Sequence, residues 1–246
     1  MSSTISESIK TKLKAISTAT LATSLFKRGL NNQFIQNVSP LKLNGESMVG
    51  PAFTLRYIPA REDRNTINAF KNPEHPQRRA IEECPPGAVL VIDSRKNARA
   101  ASAGSILVTR LYKTGAAGIV NDGGFRDSEE IAERPFPSYH QRPSAPTNLT
   151  LHEALEFNVP IGCGDVAVFP GDIVVGDKDG VIVIPADLVE EVTEECQDMT
   201  VYESFVIEMV KKGIPIIGLY PLTDPDLKLA FAKWKTEHSK NNLARQ

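Results

Sequence analysis

Long hydrophobic runs are missing from this chain of 246 residues: no apolar stretch approaches the roughly 18 residues that span a bilayer, which argues against a helical membrane protein. Cysteine is scarce. Cys84, Cys163 and Cys196 are odd in number, widely spaced and without a C-x-x-C pair, so neither a disulfide framework nor a zinc site is expected. They read as three reduced thiols in a cytoplasmic protein. Excess charge is missing too, with 28 Lys and Arg against 30 Asp and Glu. The formal net charge of −2 and the lack of any Lys/Arg block argue against a partner bound by phosphate neutralisation, so no nucleic acid is expected. The opening "MSSTISESIKTKLKAI" has no apolar core of the kind a signal peptide carries. Without secretion, the glycosylation-like "NLT" at 148–150 has no meaning. No internal repeat or low-complexity tract is present.

What is there is the composition of an ordinary globular protein, 41% hydrophobic and 24% charged, long enough to bury a substantial core. Residues 8–30 place Leu13, Ile16, Leu21 and Leu25 at helical spacing, with Gly29 as the stop. "SMVGPAFTLRYIPA" reads as a strand and residues 60–77 as a polar connection. Then "PPGAVLVIDS" gives a turn and an apolar strand over 88–93, "SILVTRLYKTG" a helix over 105–114, and "AAGIVND" a strand over 117–121. That order predicts a βαβ unit with parallel strands. "DKDG" closes a hairpin between Ile173–Val175 and Val181–Ile184, and a helix is expected from Asp187 to Gly213. The closing "SKNNLARQ" is expected to fray. The chain reads as one α/β domain over 1–246, with a core at about 15–190 and a helical C-terminal extension at about 187–238.

The βαβ unit is where chemistry collects. A ten-residue helix is roughly 15 Å long and a five-residue strand about 17 Å, so the loop "DGGFRD" returns beside the helix's first turn, "GSIL". Asp93, ending the earlier strand, is expected at the same edge. Free amides at a helix N-terminus suit a carboxylate or phosphate. Arg126 adds a planar fork able to grip a carboxylate, and Asp127 and Glu130 supply hard oxygens that suit Mg²⁺ or Mn²⁺. Gly123 and Gly124 would let the backbone approach a ligand closely. The competing reading makes "DSEE" a helix opening, with Asp127 as its cap and Glu130 reaching back, and Arg126 paired on the surface. His140 sits in a polar stretch just downstream and is a weak candidate for a base, while His75 and His152 read as surface residues.

"GSILVTRLYKTGAAGIVNDGGFRD" and "VFPGDIVVGDKDGVIVIP" together resemble the RraA-like family, which includes metal-dependent 4-hydroxy-4-methyl-2-oxoglutarate aldolases and oxaloacetate decarboxylases. The resemblance covers roughly residues 15–190. It implies a compact swivelling α/β/β domain, assembled as a homo-oligomer (trimer or hexamer). It implies a divalent-metal lyase, using Mg²⁺ or Mn²⁺, that acts on a small 2-oxo acid through a pyruvate enolate. By position, Arg126 would bind the substrate carboxylate and enolate oxygen, Asp127 the metal, and Glu130 metal-bound water. Gly104, Ser105, Ile106 and Leu107 would hold the pyruvyl carboxylate on their amides. Two other readings belong to the same resemblance: a sugar-acid hydratase or dehydratase, and a non-catalytic protein that regulates a ribonuclease. Ser105, where family members often carry Gly or Asp, and the stretch "PSYHQRPSAPTN" depart from the family pattern.

Overall fold

The computed structural model describes residues 5–42 and 47–243; the first four residues of the N-terminal stretch and the last three of "SKNNLARQ" lie outside them. The chain forms two compact units, residues 1–193 and 194–246.

The first unit opens with α1 (Glu7–Lys14) and α2 (Thr18–Lys27) where a single helical run is expected. The cause of the break is Ser17, whose backbone is extended and whose hydroxyl accepts the Thr20 amide at 3.1 Å. Gly29, at φ +79, ends α2 as expected: the Leu30 amide reaches back to the Leu25 carbonyl. There follow β1 (Ser39–Pro40), β2 (Met48–Pro59), α3 (Pro76–Glu83), β3 (Val89–Asp93), β4 (Ala101–Ala103), α4 (Ser105–Lys113) and β5 (Gly118–Phe125). After them come α5 (Ser128–Ala132), β6 (Ser138–Pro143), β7 (His152–Phe157), β8 (Ile161–Cys163), β9 (Val166–Val168), β10 (Ile173–Gly176) and β11 (Val181–Ile184).

The main sheet has the order β1-β6-β5-β3-β2-β10-β11, with β4 paired to β5 and β7 to β2. Strands β2, β3, β5 and β6 run parallel, as the βαβ reading predicts, and β10 and β11 form the expected antiparallel hairpin. Alternation along β3 shows why the sheet is buried on both faces. Leu90 and Ile92 pack with Leu55, Tyr57, Val108 and Leu111 beneath α3 and α4. Val89 and Val91 face the other way, onto Ile35, Tyr139, Val166 and Val174. Each such fully buried aliphatic side chain contributes about 1.5–3 kcal/mol. Asp177 of "DKDG" ties the hairpin to the start of α2. Its carboxylate is taken by the Thr18 amide (2.8 Å) and hydroxyl (2.9 Å) and by the Asp179 amide.

Two expectations near the site need correction. "DGGF" is not a loop: it continues β5 to Phe125, and the whole strand is buried. Nor do its glycines make room for a ligand. A Cβ on Gly123 would stand 2.6 Å from the Ser94 Cβ, and one on Gly124 would stand 2.7 Å from the Ser144 Cβ. They admit the protein's own neighbours.

In the second unit, α6 (Val189–Lys211, begun in the first) is followed by α7 (Pro225–Leu243). Phe205, Val206 and Leu219 are buried against Tyr202, Phe231 and Trp234, and the Trp234 indole donates to Glu208 at 2.7 Å. Asp224 caps α7 by accepting the amides of Asp226 and Leu227. Helix α7 therefore takes in residues 239–243, which are expected to fray. No helix of the described residues is long and apolar enough to cross a membrane.

Candidate functional site

Helix α4 begins at Gly104, whose extended backbone places the first turn against the end of β5. The first intrahelical bond runs from the Val108 amide to the Gly104 carbonyl (3.1 Å), so the amides of Ser105, Ile106 and Leu107 have no acceptor within the helix. The Ser105 amide has one from outside: it donates to Asp127 Oδ2 at 3.2 Å. The chain end that carries Asp127 is held in place by the Arg126 amide, which donates to the Ala103 carbonyl at 3.1 Å.

The geometry decides against the capping reading of Asp127. Its backbone is left-handed (φ 55, ψ 38), its side chain caps nothing on α5, and its carboxylate turns to α4 instead. A non-glycine residue there is uncommon and costs of the order of 1 kcal/mol, a local strain of the sort found at functional positions. Arg126 lies alongside, its Nε 3.6 Å from Asp127 Oδ2. Both side chains are about half exposed, 47% and 42%, so the pair opens to solvent. Gly104 is required at this spot by packing. A Cβ would stand 2.8 Å from Asp127 Oδ2, 2.9 Å from Arg126 Cγ and 3.0 Å from Arg126 Nε.

Arg126, Asp127 and Glu130 line one cavity of about 880 Å³, closed on its other side by Pro143, Ser144 and Ala145. Those three come from the "PSYHQRPSAPTN" stretch. Glu130 pairs with Arg134 at 3.1 Å; hydrogen bonds from Arg134 and then from the Ser105 hydroxyl hold its carboxyl below the usual range. Gly104 and Ser105 abut the cavity through Asp127 and Arg126. Ile106 projects into solvent, and Leu107 packs toward the core, so each can offer only its amide. A second cavity of about 650 Å³, walled by α1, β1 and Pro135–Tyr139, has a basic rim (Lys10, Lys14, Lys42, Arg134). Its lining also holds a guanidinium and a carboxylate, Arg134 and Asp177, but neither Arg126 nor Asp127.

Several sequence expectations fall elsewhere. Asp93 does not line the cavity: its carboxylate takes the Arg95 amide at 2.8 Å, and burial raises its pKa. His140 is not in a polar loop but buried on β6, stacked on Phe125 at 5.4 Å. Burial pushes its pKa down to about 4, so it is neutral and a poor base. His75 and His152 are buried as well. His152 bonds the Asn97 carbonyl (3.0 Å) and meets Arg95 at 3.2 Å, and burial with that neighbouring cation takes it to about 4. A carboxylate that no local pattern marks, that of Asp122, is buried in the same region. It accepts the amides of Ser94, Lys96 and Gly164, and burial raises it to about 6.

For a metal, no group of three or more His, Cys, Asp or Glu among the described residues is arranged as a cage. Asp127 nevertheless suits a hard ion bound through one carboxylate and water. Its Oδ2 is fixed by Ser105 and Arg126, and among the described residues no hydrogen bond reaches Oδ1.

A mixed sheet with a parallel centre, buried on both faces and flanked by helices, makes this an α/β protein. Within that class the chain belongs to the RraA-like family, described as Aldolase/RraA, whose model matches residues 17–183. A relative from Halalkalibacterium halodurans, provisionally named a 4-hydroxy-4-methyl-2-oxoglutarate aldolase, is 32% identical over 187 residues, 76% of this chain and 81% of its own. A Thermus thermophilus protein named 4-hydroxy-4-methyl-2-oxoglutarate aldolase is 32% identical over 108 residues, 44% of this chain and 65% of its own. Streptomyces coelicolor RraAS2, described as an unusual member of the RNase ES inhibitor RraA protein family, superposes with a TM-score of 0.72 at 29% identity. That match covers 82% of this chain and 96% of the other. The mixed α/β fold expected from the resemblance is the fold observed.

Proposed function

We propose that this protein is a divalent-metal-dependent lyase that cleaves a carbon–carbon bond of a small 2-oxo acid. The single observation that carries the reading is the constellation at the start of α4: the Ser105 amide on Asp127, Arg126 beside it, and Gly104 leaving room for both. The aldolase names of the relatives agree with it.

In this reading the free amides of Ile106 and Leu107 and the guanidinium of Arg126 receive the substrate's 2-oxo carboxylate. Asp127, through Oδ1 and water, would hold Mg²⁺ or Mn²⁺, and the ion would supply Lewis-acid polarisation of the 2-oxo group. Arg126 also faces the charge that develops on the C2 oxygen as the C3–C4 bond breaks and its electron pair passes into the enolate of pyruvate. Protonation at C3 then yields pyruvate. When C4 leaves as carbon dioxide, no proton must be removed first. When it leaves as a ketone or aldehyde, the 4-hydroxyl loses its proton, and Glu130, kept ionised by Arg134 and Ser105, orders the water that takes it.

The test is turnover of oxaloacetate by purified protein with Mg²⁺ or Mn²⁺, with and without chelator, followed as pyruvate. Chelator-sensitive turnover that is lost in Asp127→Ala is expected. Folded protein with no metal-dependent turnover of oxaloacetate or of any 4-hydroxy-2-oxo acid would instead favour the binding-protein role that the name of the Streptomyces relative suggests.

A further inference from the structure

The second cavity, of about 650 Å³, lies at the end of α4 opposite Gly104: the turn that follows the helix, Gly115, Ala116 and Ala117, lines it. Its size suits a small organic molecule. Its inner wall is apolar and partly aromatic. Met48, Phe136 and Tyr139 are buried there, and the Tyr112 ring meets that of Phe136 edge-on at 6.0 Å. Such a wall favours a ligand with an apolar, flat body.

Charge around that wall is one-sided. Lys10, Lys14, Lys42, Arg134 and Lys178 line the cavity, five cations against one carboxylate, Asp177. That carboxylate is already engaged, its Oδ2 by the Thr18 amide and its Oδ1 by the Thr18 hydroxyl and the Asp179 amide. A one-signed rim above a low-dielectric wall raises the local concentration of the opposite charge, here an anion. Arg134 also reaches the other cavity. Its guanidinium donates to Glu130 Oε1 at 3.1 Å and to the Glu130 carbonyl, and Glu130 lines the cavity of Arg126 and Asp127. An anion that draws Arg134 into the second cavity therefore takes it from Glu130.

We propose that the second cavity is a binding site for an aromatic organic anion, its ring against the apolar wall and its carboxylate or phosphate held by the basic rim, Arg134 included. The anion competes with Glu130 for Arg134, which links occupancy of this cavity to the site at the start of α4.

The test uses probes that share one ring system: 2-naphthoate, 2-naphthyl phosphate and the neutral 2-naphthol. Each is titrated calorimetrically near neutral pH into the full-length protein without added metal. At least one anion is expected to bind about tenfold more tightly than 2-naphthol, the worth of a hydrogen bond to a charged group. The tighter of the two tells whether the rim takes a carboxylate or a phosphate. Lys42→Gln combined with Lys178→Gln is expected to weaken that anion by about threefold or more and to leave 2-naphthol unchanged. Both side chains are exposed; if circular dichroism shows the double variant unfolded, the two single variants are read instead. Glu130→Gln releases Arg134 and is expected to tighten the anion about threefold, whereas Glu129→Gln, the same charge change one residue away, leaves it unchanged. Arg126→Met is expected to have no effect. Equal affinities for the three probes, no binding, indifference to the lysine substitutions, or loss of binding in Arg126→Met would overturn the site. Equal effects of Glu130→Gln and Glu129→Gln would overturn the link through Arg134.

Discussion

Replacing Gly104 by alanine inserts a single methyl group under the Arg126–Asp127 pair, and the consequence can be worked out. The added Cβ would lie 2.8 Å from Asp127 Oδ2 and 3.0 Å from Arg126 Nε. Ordinary van der Waals separation requires each to retreat by roughly half an ångström. Both are side-chain ends open to solvent, so they can move, and the backbone at Gly104 is extended, which alanine adopts without strain. The fold should therefore survive: an alanine at this cap costs about 1 kcal/mol or less, equivalent to a few degrees in Tm. Catalysis should not. A misplacement of 1 Å in a catalytic array costs on the order of a hundredfold, so a shift of half that size should lower kcat/KM about tenfold. The assay is steady-state oxaloacetate decarboxylation with Mn²⁺, beside thermal unfolding of the same sample. Full activity in Gly104→Ala, within twofold of wild type, would refute the claim that this contact sets the site.

Other expectations follow from the same geometry. In Gly118→Ala the new Cβ would meet Met48 Cγ and the Pro137 carbonyl, both at 2.9 Å, in the core. Urea unfolding should show a loss of about 1–3 kcal/mol, with little change in the activity of the molecules that remain folded. Asp177→Ala frees the buried Thr18 hydroxyl and amide and should cost about 2 kcal/mol in the same experiment. Stability should also fall with acid. His140 and His152 titrate near 4 when folded and near 6.5 when unfolded, so the unfolded chain takes up protons first as pH drops through that window. Each costs up to ~1.4 kcal/mol per pH unit. Asp122, raised to about 6, opposes them, favouring the folded state toward acid over the interval from about 4 to 6. His140→Phe should flatten the pH dependence of urea unfolding by about one proton between pH 4.5 and 6; an unchanged slope would contradict the assignment.

The central βαβ unit was legible because Val89–Asp93 and Ser105–Lys113 carry strong, simple patterns: a fully apolar strand, then an amphipathic helix between glycines. Strand β4 was not, since Ala-Ser-Ala has neither β-branched residues nor alternation and pairs only because β5 passes beside it. The end of β5 was hidden by its own glycines, which read as a loop but serve to let Ser94 and Ser144 pack close. His140 and His152 looked exposed from their polar neighbours. Their burial depends on Phe125 and Asn97, 15 and 55 residues away in the chain, which no local pattern reports. The Arg-Asp pair stood out by residue type. That Asp127 turns away from α5 toward α4 depends on its left-handed backbone. Local periodicity carries the elements; the partners that cross between them belong to tertiary structure.

Binding of oxalate, a planar mimic of the pyruvate enolate, tests the account at its centre. Titrated into the full-length protein with Mn²⁺ present, oxalate should bind wild type, should fail to bind once the metal is chelated, and should lose most of its affinity in Asp127→Asn. Binding that is equally tight with chelator and in Asp127→Asn would contradict a metal-assisted 2-oxo acid site at the start of α4.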